Sequence, residues 1–149
     1  MYDSILVATD GSDDASIAVD HAVELADRLE ASLHGVAVVE TRTAYDNAIV
    51  DPEEARRRLR TEAEESLEEV EETARAAGVP VVTQVLEGVP HEAILAYVDE
   101  HDVETVVVGA RGRSSFRRAL LGSTVDAVVR LSPVPVIVVG EEGWDRSES

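Results

Sequence analysis

The chain contains no cysteine and no lysine. Without thiols it can form no disulfide, no thiol nucleophile and no thiolate metal site. Without lysine it has neither a Schiff-base amine nor the lysine of a phosphate-binding P-loop. Positive charge is scarce altogether: thirteen arginines face thirty-one carboxylates, a net charge of −18 over 149 residues. So acidic a body repels phosphodiester backbones and anionic lipid headgroups, which argues against nucleic acid and membrane as partners. Long apolar runs are missing too. The longest are strand-sized, far short of the roughly 18 residues a membrane span needs. The start, Met1-Tyr2-Asp3-Ser4-Ile5, has no basic region ahead of an apolar one, so a cytoplasmic protein is expected. Dense carboxylates with lysine avoidance also suggest a halophilic composition, since charge repulsion is screened in brine.

What remains is enough for a proper core. Hydrophobic residues make up 44% of the chain, and its length suits one domain. That domain is expected over residues 1–140, with the polar stretch 141–149 as an acidic tail lacking fixed structure. Two-residue and helical periods alternate along it. Ser4–Thr9 is a short apolar strand ending at Asp10-Gly11-Ser12. Ser12 can cap a helix with Asp13 and Asp14 in its first turn, and Ala15, Ala18, Ala22, Leu25, Ala26 and Leu29 form its core stripe. A second strand follows over 32–40, then a loop over 41–51. Asp51-Pro52-Glu53-Glu54 is a helix start with an acidic cap and proline at the first position. The helix runs to Ala77 on a stripe of Ala55, Leu59, Ala63, Leu67, Val70, Ala74 and Ala77, and Gly78 ends it. Strands are predicted over 81–86, 103–108 and 134–139, and helices over 89–101 and 123–131. Five strands separated by helices give an α/β fold: one doubly wound parallel sheet with helices on both faces. In such sheets ligands bind beyond the carboxyl ends of the strands, where strand order reverses. With the first and fourth strands flanking that reversal, the site lies between Asp10 and the segment beginning at Gly109.

That segment reads Gly109-Ala110-Arg111-Gly112, nine residues, then Gly122-Ser123-Thr124. Glycines let backbone approach a ligand with no Cβ in the way, and Ser123 and Thr124 bring hydroxyls and free helix-start amides to an anion. Glycines after strands also serve as plain turn residues, and Ser123 with Asp126 resembles a capping box. Charge favours the ligand. Between Thr105 and Val125 there is no acid but four arginines (Arg111, Arg113, Arg117 and Arg118), which leaves −22 on the rest of the chain. A second cluster, Arg56-Arg57-Arg58 with Arg60, lies among glutamates and reads as a helix surface laced with ion pairs. A polyphosphate is the natural occupant of the first.

Gly-x-x-Gly, nine residues, Gly-Ser resembles the ATP-binding signature of the universal stress protein family. The opening Ile5-Leu6-Val7-Ala8-Thr9-Asp10-Gly11-Ser12, the Gly88-Val89-Pro90 turn and the closing Pro133-Val134-Pro135-Val136-Ile137-Val138-Val139 are similar to that family as well. The resemblance implies strand order 3-2-1-4-5 and ATP at the switch point. It implies that Ala8 and Thr9 line the adenine side and that Val38 offers backbone polar groups to the base. Asp10 would lie near the ribose or a magnesium ion travelling with the nucleotide. Gly109, Gly112, Gly122, Ser123 and Thr124 would wrap ribose and phosphates. Arg111 stands where the family often has a small residue or histidine, and could hold phosphate or narrow the pocket. Asp10 could instead only cap the following helix, and the two roles can coexist. The four histidines show no metal spacing. No general base stands near the phosphate loop and no Gly-x-Ser-x-Gly elbow exists, so binding rather than turnover is expected, with any hydrolysis slow. A slow ATPase and a protein-interaction module indifferent to nucleotides are the alternatives. The exposed apolar fifth strand invites pairing with its own copy, and the resemblance implies a homodimer through 134–139.

Overall fold

The computed structural model describes residues 2–40, 51–110 and 122–140. Five strands, β1 (Ser4–Ala8), β2 (Ser32–Val39), β3 (Val81–Glu87), β4 (Thr105–Gly109) and β5 (Val136–Val139), form one sheet in the order β3-β2-β1-β4-β5. Every pairing is parallel. Among the described residues four helices connect them: α1 (Asp13–Leu29), α2 (Pro52–Ala76), α3 (Pro90–Glu100) and α4 (Ser123–Leu131). This is the doubly wound α/β sheet that the alternation of periods predicts.

The side-chain alternation of a strand divides the core in two. Ile5, Val7, Leu33, Ala37, Val39 and Val107 pack beneath α1 and α2, whose Ala18, Ala22, Ala26, Leu67, Val70 and Ala74 are buried against them. Leu6, Val36, Val106 and Val108 point to the other face and meet Ile94, Tyr97, Val98, Val125 and Val128 of α3 and α4. Central β4 is buried along its whole length, as a strand covered on both faces should be. Edge strand β5 is half-buried throughout.

Helix ends explain where the structure departs from the pattern in the sequence. α2 closes with Gly78 in the left-handed region (φ 73°), the Val79 N–H donating back to Ala74 O. The same closure ends α1 and α3, but through Glu30 (φ 56°) and Asp102 (φ 52°), with Ala31 N–H donating to Ala26 O and Val103 N–H to Val98 O. Leu29, predicted in the core stripe, sits at this last turn, 39% exposed. Ala77 is likewise an exposed cap and no core residue. β5 begins at Val136, two residues later than predicted, because Pro135 has no N–H for the ladder. Its carbonyl still accepts from Val106 N–H at 3.0 Å and from the Thr105 hydroxyl at 2.9 Å. β4 starts at Thr105 for a related reason. Val103 is spent closing α3, and the Glu104 carboxylate turns back to bind the N–H groups of Asp3 and Ser4.

Candidate functional site

A cavity of about 360 Å³ opens beyond the carboxyl ends of β1, β2 and β4, at the point where strand order reverses. Ala8 and Thr9 form its floor at the end of β1, and exposed Asp10 follows them at its mouth. β2 contributes Val36 through Glu40, and β4 contributes Val108 and Gly109. Gly122, Ser123, Thr124 and Val125 line it from the start of α4. The sequence-derived residues Ala8, Thr9, Asp10, Val38, Gly109, Gly122, Ser123 and Thr124 therefore share one cavity. Arg111 and Gly112 lie outside the described residues, as do the other arginines of that basic stretch and the 141–149 tail.

The turn after β1 is built from side-chain bonds to backbone. Buried Thr9 donates its N–H to Val36 O at 3.0 Å, the last rung between β1 and β2, and its hydroxyl accepts from Gly11 N–H at 3.2 Å. Asp10 Oδ1 accepts from Ser12 N–H at 2.9 Å. Ser12 is the cap of α1, its hydroxyl accepting from Ala15 N–H at 3.3 Å. Asp10 thus shapes the turn without capping the helix, and its exposed side chain stays at the cavity mouth.

Where β1 stops, β2 runs on. Successive residues of a parallel strand turn their peptide groups to opposite neighbours. Val36 O is bonded on the β1 side and Val39 O on the β3 side, where Gly88 N–H donates to it at 3.0 Å. Val38 shares the parity of Val36, so its N–H and C=O face the side β1 has vacated, into the cavity.

On the opposite wall the start of α4 differs from the sequence expectation. The cap is Gly122, and Ser123 is already the first helical residue, so no Ser123–Asp126 capping box forms. Asp126 instead pairs with Arg130 one turn on, Oδ2 to Nε 3.1 Å. No side chain among the described residues caps α4, and its first-turn amides, unmatched within the helix, open toward the cavity. Gly122 N–H donates to Ala110 O at 3.1 Å, and Ala110 N–H to Val139 O at 2.8 Å. These bonds fix α4's start at the end of β4. Gly109 has a task its spacing does not announce: the space a Cβ would take is filled by the backbone of Asp14 and Ala15, so the packing of α1 requires the glycine, which also lines the cavity.

The sequence reading missed the third wall. Leu59, Glu62, Ala63 and Ser66 of α2 line the cavity, as do Glu40 and, from α3, Pro90 and Ile94. A signal existed: Glu62 and Ser66 fall among Leu59, Ala63, Leu67 and Val70 on the stripe that packs inward, a polar interruption of an apolar face. The Ser66 hydroxyl bonds back to Glu62 O at 3.0 Å. The cavity is consequently polarised: Glu40 and Glu62 stand among apolar walls on the β2 and α2 side, the positive end of α4 lies on the other, and Asp10 follows β1 between the two.

Among the described residues no group of three or more His, Asp or Glu is arranged to hold a metal ion. The histidines His34 and His101 meet at the far end of the sheet. His34 Nδ1 lies 2.7 Å from the Tyr97 hydroxyl, and Tyr97 stacks on His101 with ring centroids 3.8 Å apart. Burial, and then the nearby His101, push the His34 pKa down, while burial pushes that of Tyr97 up. Among the described residues no helix is long and apolar enough to cross a membrane.

Comparison with known proteins agrees with this architecture. The model of the Universal stress protein family matches residues 1–140. The chain is 35% identical over 147 residues to the universal stress protein YxiE of Bacillus subtilis, covering 93% of this chain and 99% of the relative. The solved structure of MJ0577 from Methanocaldococcus jannaschii superposes with a TM-score of 0.84 at 27% identity, covering 95% of this chain and 98% of that one. A universal stress protein solved in complex with cAMP is 30% identical, with a TM-score of 0.67 and coverage of 93% and 97%.

Proposed function

This chain belongs to the universal stress protein family, and we propose that it is a cytoplasmic, homodimeric regulatory module that binds ATP in the switch-point cavity. The observation that carries the reading is the cavity's polarity. Its two ends suit the two ends of an adenine nucleotide. On the β2 side, the N–H and C=O of Val38 offer a donor and an acceptor to a base edge, with Ala8, Val36, Leu59 and Ala63 as apolar surface for its faces. On the α4 side, the backbone of Gly122 and the amides and hydroxyls of Ser123 and Thr124 receive phosphate, which the helix dipole favours. Arg111 and Gly112 complete that end in this reading. A cavity of about 360 Å³ lies within the range of small-ligand sites. The relative that holds cAMP supports an adenine nucleotide as the class.

Magnesium fits as a passenger. It needs oxygen ligands and is commonly held by one or two carboxylates together with phosphate oxygens. Asp10 at the mouth is the carboxylate placed for it. Bound there, the ion would neutralise phosphate charge beside an otherwise acidic surface. No histidine lines the cavity, so the proposed role is nucleotide-dependent stabilisation of one conformation, with any hydrolysis slow. β5 supplies the proposed dimer contact, and Val129 and Leu131 of α4, 43% and 57% exposed, add apolar surface.

Calorimetry and thermal shift with Mg-ATP, AMP, cAMP and GTP, run at high salt because of the net charge, test the reading. Adenine nucleotides should bind and stabilise the fold, by about 2.7 kcal/mol at a hundredfold excess over Kd. Absence of heat and of any shift with every adenine nucleotide would leave a protein-interaction module without a nucleotide.

A further inference from the structure

We infer that Glu87 is a positioning residue for the cavity, acting through Arg56 and Arg60 to hold the α2 wall against the sheet. The inference rests on the nucleotide reading above for its functional consequence, but the contact stands on its own. Glu87 is the last residue of β3, in register with Val39. Its two carboxylate oxygens are divided between two guanidinium groups of α2: Oε1 accepts from Arg56 Nη2, and Oε2 from Arg60 Nη1 at 3.1 Å. The other ion pairs seen among the described residues, such as Arg28–Glu24, Arg75–Glu71 and Arg130–Asp126, join residues one turn apart on a single helix. Those leave the helix where it is. The Glu87 pairs tie a helix to a strand end.

The clamp matters because of where it falls on α2. From Pro52 to Arg58 only Ala55 is even half-buried, and the first fully buried residue is Ala63. The first half of the helix therefore has little apolar contact to hold it. Yet this half carries Leu59 and Glu62 into the cavity, and Arg60 stands between them. The helix lies with Arg56 and Arg60 toward β3 and with Leu59, Glu62 and Ser66 toward the cavity. A shift of its free end would move the cavity wall. Glu87 is also followed directly by Gly88 and Val89, which lead into Pro90 on another wall. One carboxylate thus fixes α2 relative to the start of α3. The arginine cluster, which reads in the sequence as a helix surface laced with ion pairs, makes one such pair within the helix, Arg60 with Glu64 at 3.9 Å, and sends Arg56 and Arg60 to this one acceptor on β3.

Charged pairs about half exposed are individually weak. Two on one carboxylate, acting on a helix end with few other contacts, are enough to set its mean position without deciding whether the sheet folds. The experiment compares the wild-type chain, Glu87→Gln, the swapped variant Glu87→Arg/Arg56→Glu/Arg60→Glu, and Arg75→Gln as a control at the far end of the same helix. Mg-ATP and AMP affinities are measured by calorimetry, and amide hydrogen exchange is followed without nucleotide. Glu87→Gln should raise Kd about fivefold and speed exchange from Arg58 to Glu62, with sheet amides unchanged. The swap should return both readouts toward wild type, and Arg75→Gln should leave them alone. Equal affinity of wild type and Glu87→Gln overturns the positioning role. Faster exchange throughout the sheet overturns it too, since the residue would then be merely structural. If wild type binds neither nucleotide, the nucleotide reading fails, and local exchange in Glu87→Gln alone decides whether the clamp exists.

Discussion

Gly109 lies directly against the backbone of Asp14: a Cβ placed on it would stand 2.8 Å from both the carbonyl carbon and the carbonyl oxygen of Asp14. The end of β4 and the first turn of α1 are therefore locked at a distance only glycine permits. Gly109→Ala should force the two apart and destabilise the protein by about 1–3 kcal/mol, the usual cost of overpacking. Urea denaturation without ligand checks this. An alanine variant as stable as wild type would mean that α1 yields freely and that the close approach holds nothing.

That relationship marks the limit of what the sequence disclosed. Periods of two and 3.6 reveal which residues face a core, because burial is repeated many times along each element. They specify five strands and the helix faces of α1 and α2; the order of those strands, and with it the switch point where the cavity opens, follows from the family resemblance. The periods did not reveal that a glycine lining the cavity is also required by helix packing, since either demand appears as a missing side chain after a strand. Gly109 and Gly122 look alike in the motif, but one meets a helix and the other caps one. The α2 wall left one mark, the polar Glu62 and Ser66 on an apolar stripe, and that mark does not say what the stripe faces. Helix 52–76 is distant in sequence from the glycine motif, and only the folded chain brings Glu62 and Ser66 to Thr9 and Gly122. Helix stops were legible where glycine marked them, at Gly78, and not where Glu30 and Asp102 do the same work.

Glu30 offers a gain in stability. A residue with a Cβ in the left-handed region (φ 56°, ψ 41°) carries a steric cost that glycine lacks. Its side chain is exposed, so nothing packed is lost on removal. Glu30→Gly should stabilise the chain by about 1 kcal/mol, and Glu30→Asn by less. Thermal or urea midpoints measure it. A lower midpoint for Glu30→Gly would show that flexibility gained by the unfolded chain outweighs the relief.

The His34–Tyr97–His101 cluster makes stability depend on pH. The His34 pKa lies below its ordinary 6.5, first through burial and then through repulsion from His101. The folded state therefore favours neutral His34, and the unfolded state takes up the proton more readily. Its contribution is fully present above about pH 6.5 and declines as pH falls through the lower folded value. Urea midpoints between pH 8 and pH 5 should drop on the acid side, beyond the change shown by His34→Gln. NMR titration of His101→Gln should raise the His34 pKa only part of the way, since burial is the larger cause. A complete return to the ordinary value in His101→Gln would reverse that ranking.

Gly122→Val separates the site from the scaffold. Gly122 has φ −64° and ψ 157°, an extended conformation open to any residue, so valine strains no backbone there. Its N–H bond to Ala110 O and its carbonyl bond to Asp126 N–H both survive, because valine keeps the same backbone groups. Gly122 is buried, so the urea midpoint of Gly122→Val without ligand is measured beside its affinity; with the midpoint held, what changes is the space beside the amides of Ser123 and Thr124 proposed for phosphate. The expected result is at least a tenfold loss of Mg-ATP affinity by calorimetry, on the order of 1.4 kcal/mol. Val38→Ala should change affinity less than Gly122→Val, because Val38 is proposed to act through its peptide groups. Retained binding in Gly122→Val would remove the start of α4 from the site. A larger effect at Val38→Ala than at Gly122→Val would mean that the occupant is read by side-chain packing on β2 and not by an anion at the helix end.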